Sequence, residues 1–262
     1  MNDAIAQYFT EIETEKRKAL LALMDEWLES LDNEEYKDWF NADGFFPNYY
    51  NQKHKVLFVG REARGITSGA DNNVDGDYIG TFLGWFKIGI QNNNFGRHLM
   101  TMVQLFKSDG KIEFEQLMKA DDYGKEMVKT GDYGFAFMNI SKYSNDLDSG
   151  GEADWDSINQ FLEDSQLEKH NYFQEELKIL DPEYIITANL WNGKIDKKYL
   201  DLCFGKLTEL SAYPPESPEA KLYEIDLDGK KIKLVDVYHF SAIKPDKESF
   251  FTPFKELLFP DR

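Results

Sequence analysis

Four apolar runs that do not alternate with polar residues constrain this chain most: VLFVG at 56–60, FAFMNI at 135–140, YIITA at 184–188 and IKLVDVYHF at 232–240. A strand with one face in water alternates, whereas a strand covered on both faces reads as a continuous apolar run. Around these runs lie stretches with the three- and four-residue spacing of helices: 95–106 (Phe95, Leu99, Met102, Val103, Phe106), 155–162, 199–210 and 250–258. Buried strands alternating with helices predict an α/β fold. The expected form is a three-layer α/β/α sandwich with a mainly parallel four-stranded central sheet built from 56–59, 135–138, 184–187 and 234–237. Ile5, Tyr8, Phe9 and Ile12, then Ala19, Leu20, Leu23, Met24, Trp27, Leu28 and Leu31, predict one or two amphipathic helices over 4–31. No linker or repeat splits the chain, so 1–262 reads as a single α/β domain with 1–50 as a helical extension packed on it.

Of the 262 residues, 42% are apolar and 15% aromatic, enough for a substantial core and too many for a disordered chain. The 48 acidic against 30 basic residues leave a net charge of −18, which excludes a chain-wide basic footprint for nucleic acid; an anionic partner would have to meet a local basic pocket. Cys203 is the one cysteine, so a disulfide framework, a four-cysteine zinc site and an iron–sulfur cluster are excluded. Set among Leu202, Phe204 and Leu207, it reads as a buried inert thiol. Acidic residues close to Met1 are unlike a secretory signal, and no apolar run approaches the roughly 20 residues of a membrane span. The expectation is a soluble cytoplasmic protein without a membrane partner.

Open parallel sheets bind ligands at the carboxyl ends of their strands. There the first run leads into Gly60-Arg61-Glu62-Ala63-Arg64-Gly65, a carboxylate between two arginines with glycine at both ends. A phosphate-gripping loop would need Gly-Lys-Ser/Thr, and a dinucleotide fingerprint a third glycine followed by a helix; neither is present. Asn139 ends the second run and His239 the last. Taken singly, Glu62 reads as a turn with a surface salt bridge, Asn139 as a helix cap and His239 as a structural histidine. Together they converge on one rim. The passage 65–96, with seven glycines and five asparagines, follows the first strand end directly and is expected to border the same pocket.

In this order the segments Gly60-Arg61-Glu62-Ala63, Asn139-Ile140-Ser141-Lys142 and His239-Phe240-Ser241 resemble the motifs of the uracil-DNA glycosylase superfamily, and Asp181-Pro182-Glu183-Tyr184 looks like that family's entrance to its third strand. The resemblance covers roughly 55–247, with Ala63 where the family usually has proline and Phe240 interrupting the late motif. It implies hydrolysis of the N-glycosidic bond of a flipped uracil or related base in DNA, without a cofactor. Glu62 would position water or stabilise the sugar cation, and a neutral His239 would donate to the departing base. Asn139 would read the base edge, with Phe82, Trp85 and Phe86 as stacking candidates. Ile243 would be the apolar wedge. Arg61, Arg64, Lys142 and Lys244 are the phosphate or DNA contacts this implies, and Lys87, Arg97 and Lys247 would add positive potential nearby. The competing reading is a non-catalytic module of the same fold that holds a nucleobase, a nucleotide or a protein partner. A third is an acidic protein-interaction domain with a vestigial rim.

Asp71, Asn73, Asp75 and Gly76 match the start of a calcium loop, but Phe82 stands where its bidentate glutamate is required, so a solvated turn is expected. The acidic stretch 146–152 departs from the pattern sooner, and His54, His98 and His170 have no metal-ligand spacing.

Overall fold

Helix ends are where sequence chemistry acts most locally in this computed structural model, which describes residues 7–32, 37, 39–63, 89–145, 153–191, 193–216 and 219–260. Helix α1 (Glu11–Ser30) opens with a capping box: Thr10 Oγ1 accepts the Glu13 N–H at 3.2 Å, and Glu13 Oε2 accepts the Thr10 N–H at 3.0 Å. Asn93 caps α2 (Asn94–Lys107) through the Gly96 N–H, and Gly131, at φ 69°, ends α3 (Ala120–Thr130). Asp154 caps α4 (Trp155–Asp164) and Asn171 caps α5 (Tyr172–Leu180), each accepting the N–H three residues on at 3.0 Å. Asp196 caps α6 (Lys197–Phe204), and a π-helical turn, Lys247–Phe251, leads into α7 (Thr252–Leu258).

The strands are β1 (Gly44–Phe45), β2 (Val56–Gly60), β3 (Ala136–Asn139), β4 (Tyr184–Ala188), β5 (Thr208–Tyr213), β6 (Ala220–Leu227) and β7 (Lys230–Val237). They form one sheet in the order β1-β3-β2-β4-β7-β6-β5. The pairs β2–β3, β2–β4 and β4–β7 are parallel; β1–β3, β6–β7 and β5–β6 are antiparallel. All four expected strands are present. The four-stranded sheet is corrected to a seven-stranded mixed one, because an edge strand flanks the parallel block on one side and an antiparallel hairpin pair on the other.

Successive side chains of the strands enter opposite faces. Phe58, Phe137, Ile186 and Val235 pack with Leu99 and Phe106 of α2, Met127 of α3 and Phe254 of α7. Leu57, Met138, Ile185 and Leu234 pack with Trp27 of α1, Phe161 of α4, Phe173 of α5 and Tyr199 of α6. Helices therefore cover both faces of the sheet, which is what unalternating strands require. Trp27 stacks on Tyr172, with ring centroids 5.4 Å apart, and its indole N–H donates to Ser165 Oγ at 3.0 Å. The N-terminal 50 residues supply the edge strand β1 as well as α1.

Three details depart from the periodicity reading. The helix expected over 199–210 stops at Phe204, because Gly205 at φ 71° turns the chain into β5. Helices α3 and α5 were not expected. Strands β6 and β7 are joined at Asp228-Gly229, both at positive φ (53° and 88°), the conformation a two-residue hairpin turn needs.

Candidate functional site

The rim is assembled by β2 and β3 continuing side by side past their ends. The Ile140 N–H donates to Gly60 O at 3.0 Å, Ser141 N–H to Arg61 O at 2.9 Å and Asn145 N–H to Ala63 O at 2.8 Å. This pairing presents Glu62 to α4: its Oε1 accepts from Asn145 Nδ2 at 3.0 Å and from the Asp154 backbone N–H at 3.1 Å. A carboxylate fixed at a helix N-terminus is favoured by the orphan donors and dipole there. Glu62 is half-buried and held in one place.

Asn139, the last residue of β3, is 2% exposed and lies opposite Gly60 in the parallel register. A Cβ on Gly60 would stand 2.4 Å from Asn139 Oδ1 and 3.0 Å from the Phe137 ring, so glycine is what leaves room for the carboxamide. That oxygen has no hydrogen-bond partner among the described residues. Phe95, in the first turn of α2, bridges to the far side of the rim, with centroids 5.8 Å from Phe137 and 6.3 Å from His239. His239 is half-buried, and its Nδ1 accepts the Ser241 N–H at 3.2 Å, so the neutral ring carries its proton on Nε2. The structure thus brings Glu62, Asn139 and His239 to one end of the sheet.

Lys142 is a correction. Expected at phosphate, it is fully buried in an ion triad: its Nζ meets Asp43 Oδ2, lies 3.0 Å from Glu176 Oε2 and donates to the Asn139 carbonyl at 2.8 Å. Asp43 Oδ1 accepts the Asn139 N–H at 3.0 Å. Burial alone would push the ammonium down, but the Asp43 and Glu176 carboxylates hold it above its usual range. Burial raises Glu176 to about 8, with the Lys142 charge opposing and that of Asp43 adding, and burial likewise raises Asp43 against the same ammonium.

Sequence reasoning also missed Asp236. It accepts from Thr187 Oγ1 at 2.7 Å and from the Leu190 N–H at 3.0 Å, tying down the loop after β4. Burial raises it to about 6 against these donors and the nearby Arg61. An aspartate inside the apolar run LVDV was the available signal. Arg61 lies 4.7 Å over the Trp155 ring and donates to Asn189 O at 3.3 Å.

The loop carrying His239 is clamped to α2 by His98, whose Nδ1 donates to Phe240 O at 2.6 Å and whose Nε2 stands 3.0 Å from Asp246 Oδ1. Burial holds His98 below the usual histidine range, opposed by these two acceptors. Arg97 also binds Asp246, at 2.7 Å, and Lys247 binds Glu115 at 2.5 Å. The expected concentration of positive potential is corrected accordingly: Arg97, Lys142 and Lys247 are each matched by a carboxylate. Ile243 is 93% exposed on the same loop, and exposed Lys244 lies 4.5 Å over the Tyr238 ring.

Arg64, Phe82, Trp85, Phe86 and Lys87, the calcium-like stretch 71–77 and the acidic stretch 146–152 lie outside the described residues. A cavity of about 30 Å³, lined by Gln52, His54, Val56, Phe106, Lys107 and Phe135, sits at the opposite, amino end of the strands. That is room for about one water. Cys203 is buried, and burial pushes its thiol far above the range of a nucleophile. Among the described residues, no helix is long and apolar enough to cross a membrane, and no three His, Cys, Asp or Glu side chains are grouped to hold a metal ion. Comparison with models of known protein families gives no match, and comparison with curated proteins finds no relative.

Proposed function

We propose that the rim is a base-recognising N-glycosidase site of the uracil-DNA glycosylase kind, a hydrolase acting in DNA repair on a flipped uracil or related base, with the parallel block β3-β2-β4-β7 as the part of the sheet that corresponds to that fold. The observation that carries the reading is the joint placement, at one end of the sheet, of a fixed carboxylate and a histidine whose neutral form donates through Nε2. Cleaving a base from deoxyribose develops positive charge on the sugar and negative charge on the base, so a catalyst needs a carboxylate and a donor together. Glu62 supplies the first, to orient water or stabilise the cation. His239 supplies the second without having to lose a proton, and Asn139 offers an acceptor to the base edge. The test is uracil release from single-stranded and duplex oligonucleotides containing one uracil, with release expected from at least one of them.

A second reading, a module that holds a nucleobase or nucleotide without chemistry, is favoured by the pairing of Arg97 and Lys247 with carboxylates, the burial of Lys142 and the net charge of −18. Calorimetric binding of free uracil without release from DNA selects it. Neither release nor binding sinks both.

A further inference from the structure

Three fully buried ionisable groups need a reason, because desolvating them costs more than a well-packed apolar trio of the same volume. Both backbone groups of a single residue are what this triad holds. Asp43 takes the N–H of Asn139 at 3.0 Å, and Lys142, three residues on, donates to its carbonyl at 2.8 Å, with Glu176 at 3.0 Å completing the shell of the ammonium. From the other side, Gly60 admits the carboxamide by having no Cβ. The gripped residue ends in an oxygen that is buried and has no hydrogen-bond partner among the described residues, a cost the fold bears unless something else brings a donor.

We propose that Lys142, with Asp43 and Glu176, is a positioning group for Asn139, holding its carboxamide oxygen over Gly60 as an acceptor for an N–H of the ligand. The proposal rests on reading Asn139 as the residue that faces the base. It extends that reading inward: recognition depends on an ion triad that never touches the ligand. Glu176 supports the ammonium at 3.0 Å without contacting Asn139 directly.

The experiment uses the full chain labelled with ¹⁵N, in the wild type and in the variants Lys142→Met and Glu176→Gln, reading the Asn139 backbone and carboxamide resonances and titrating with free uracil near neutral pH. Lys142→Met is expected to move both Asn139 signals and to weaken uracil binding about tenfold or more, the loss of roughly one buried hydrogen bond. Glu176→Gln, which removes a carboxylate from the ammonium's shell without touching Asn139, is expected to move the Asn139 signals in the same sense but by less than Lys142→Met does, and a larger movement overturns the proposal. A folded Lys142→Met chain with Asn139 signals or uracil affinity unchanged overturns the proposal. If the wild type binds no uracil, the base-facing reading falls, and the resonances alone decide whether Lys142 holds Asn139. Should Lys142→Met not fold, Asp43→Asn carries the test: it keeps an acceptor oxygen but loses the charge, so the Asn139 amide proton should move upfield, and an unmoved proton overturns the proposal.

Discussion

Gly60 and Asn139 stand opposite each other at the ends of β2 and β3 so closely that a single methyl on the glycine would lie 2.4 Å from the carboxamide oxygen. Gly60→Ala must therefore push Asn139 or Phe137 aside. A destabilisation of about 1–3 kcal/mol is expected from overpacking, together with a larger proportional loss of uracil binding. Denaturant unfolding and calorimetry on the same sample check this. Unchanged stability would show that the carboxamide moves freely, against the close fit described.

Glu176 has its pKa raised by burial from 4.5 to about 8, so the native state holds a proton that the unfolded chain releases in between. Stability is fully present below pH 4.5 and falls as pH rises through 8, with a slope of up to about 1.4 kcal/mol per unit for one proton. Glu176→Gln should flatten this part of the profile and stabilise the protein at the alkaline end. Unfolding midpoints from pH 5 to about 9 measure both effects.

Asp236 works in the same direction over a lower window, its pKa raised from 3.8 to about 6. Asp236→Ala leaves the Leu190 N–H without its acceptor and the Thr187 hydroxyl with only the Val235 carbonyl at 3.4 Å, and should cost about 1–3 kcal/mol for the stranded amide. Asp236→Asn should cost less and remove the stability lost between pH 3.8 and 6. Equal losses in the two variants would mean that the carboxylate charge, not its acceptor oxygens, holds the loop.

If uracil is released, Glu62→Gln should lower turnover more than binding, because the carboxylate acts most strongly once the sugar is positive. His239→Ala should slow the chemical step by about 10² to 10³, the usual effect of losing one transition-state donor. Single-turnover kinetics separate the two effects. Wild-type rates in both variants would remove the rim from the mechanism.

Binding to DNA, where it occurs, should weaken only gently with salt. Among the described rim cations, Arg97, Lys142 and Lys247 are matched by carboxylates, and Lys244 is exposed on the loop after β7. At about 0.9 per neutralised phosphate, a shallow slope of roughly 1 to 2 follows for log affinity against log salt. A slope near 6 would mean a basic surface elsewhere in the chain.

The buried strands were legible because a strand covered on both faces needs nothing but apolar residues, and 56–60 and 184–188 say so without tertiary information. Strand β5 was not: most of its residues are exposed at a sheet edge, and Leu210 sits at an irregularity in its register, so its pattern extends the preceding helix as readily as it begins a strand. Gly205 and Asp228-Gly229 were the available signals for the helix stop and the hairpin. Of the rim, Glu62, Asn139 and His239 could be placed from strand ends alone. Lys142 could not, because what decides between phosphate contact and burial is Asp43, 99 residues away in sequence. A long-range ionic partner leaves no local trace.

Trp27 is separated from Ser165, which accepts its indole N–H, by 138 residues. At ribosomal rates of about 5–20 residues per second, roughly 7–28 s pass between their synthesis. For most of that interval the apolar stripe of α1 has none of its helical neighbours α4, α5 and α6 to lie against, and the layer it belongs to closes only when the last of them has been made. A helix made early in this sequence is thus held in place by partners made much later.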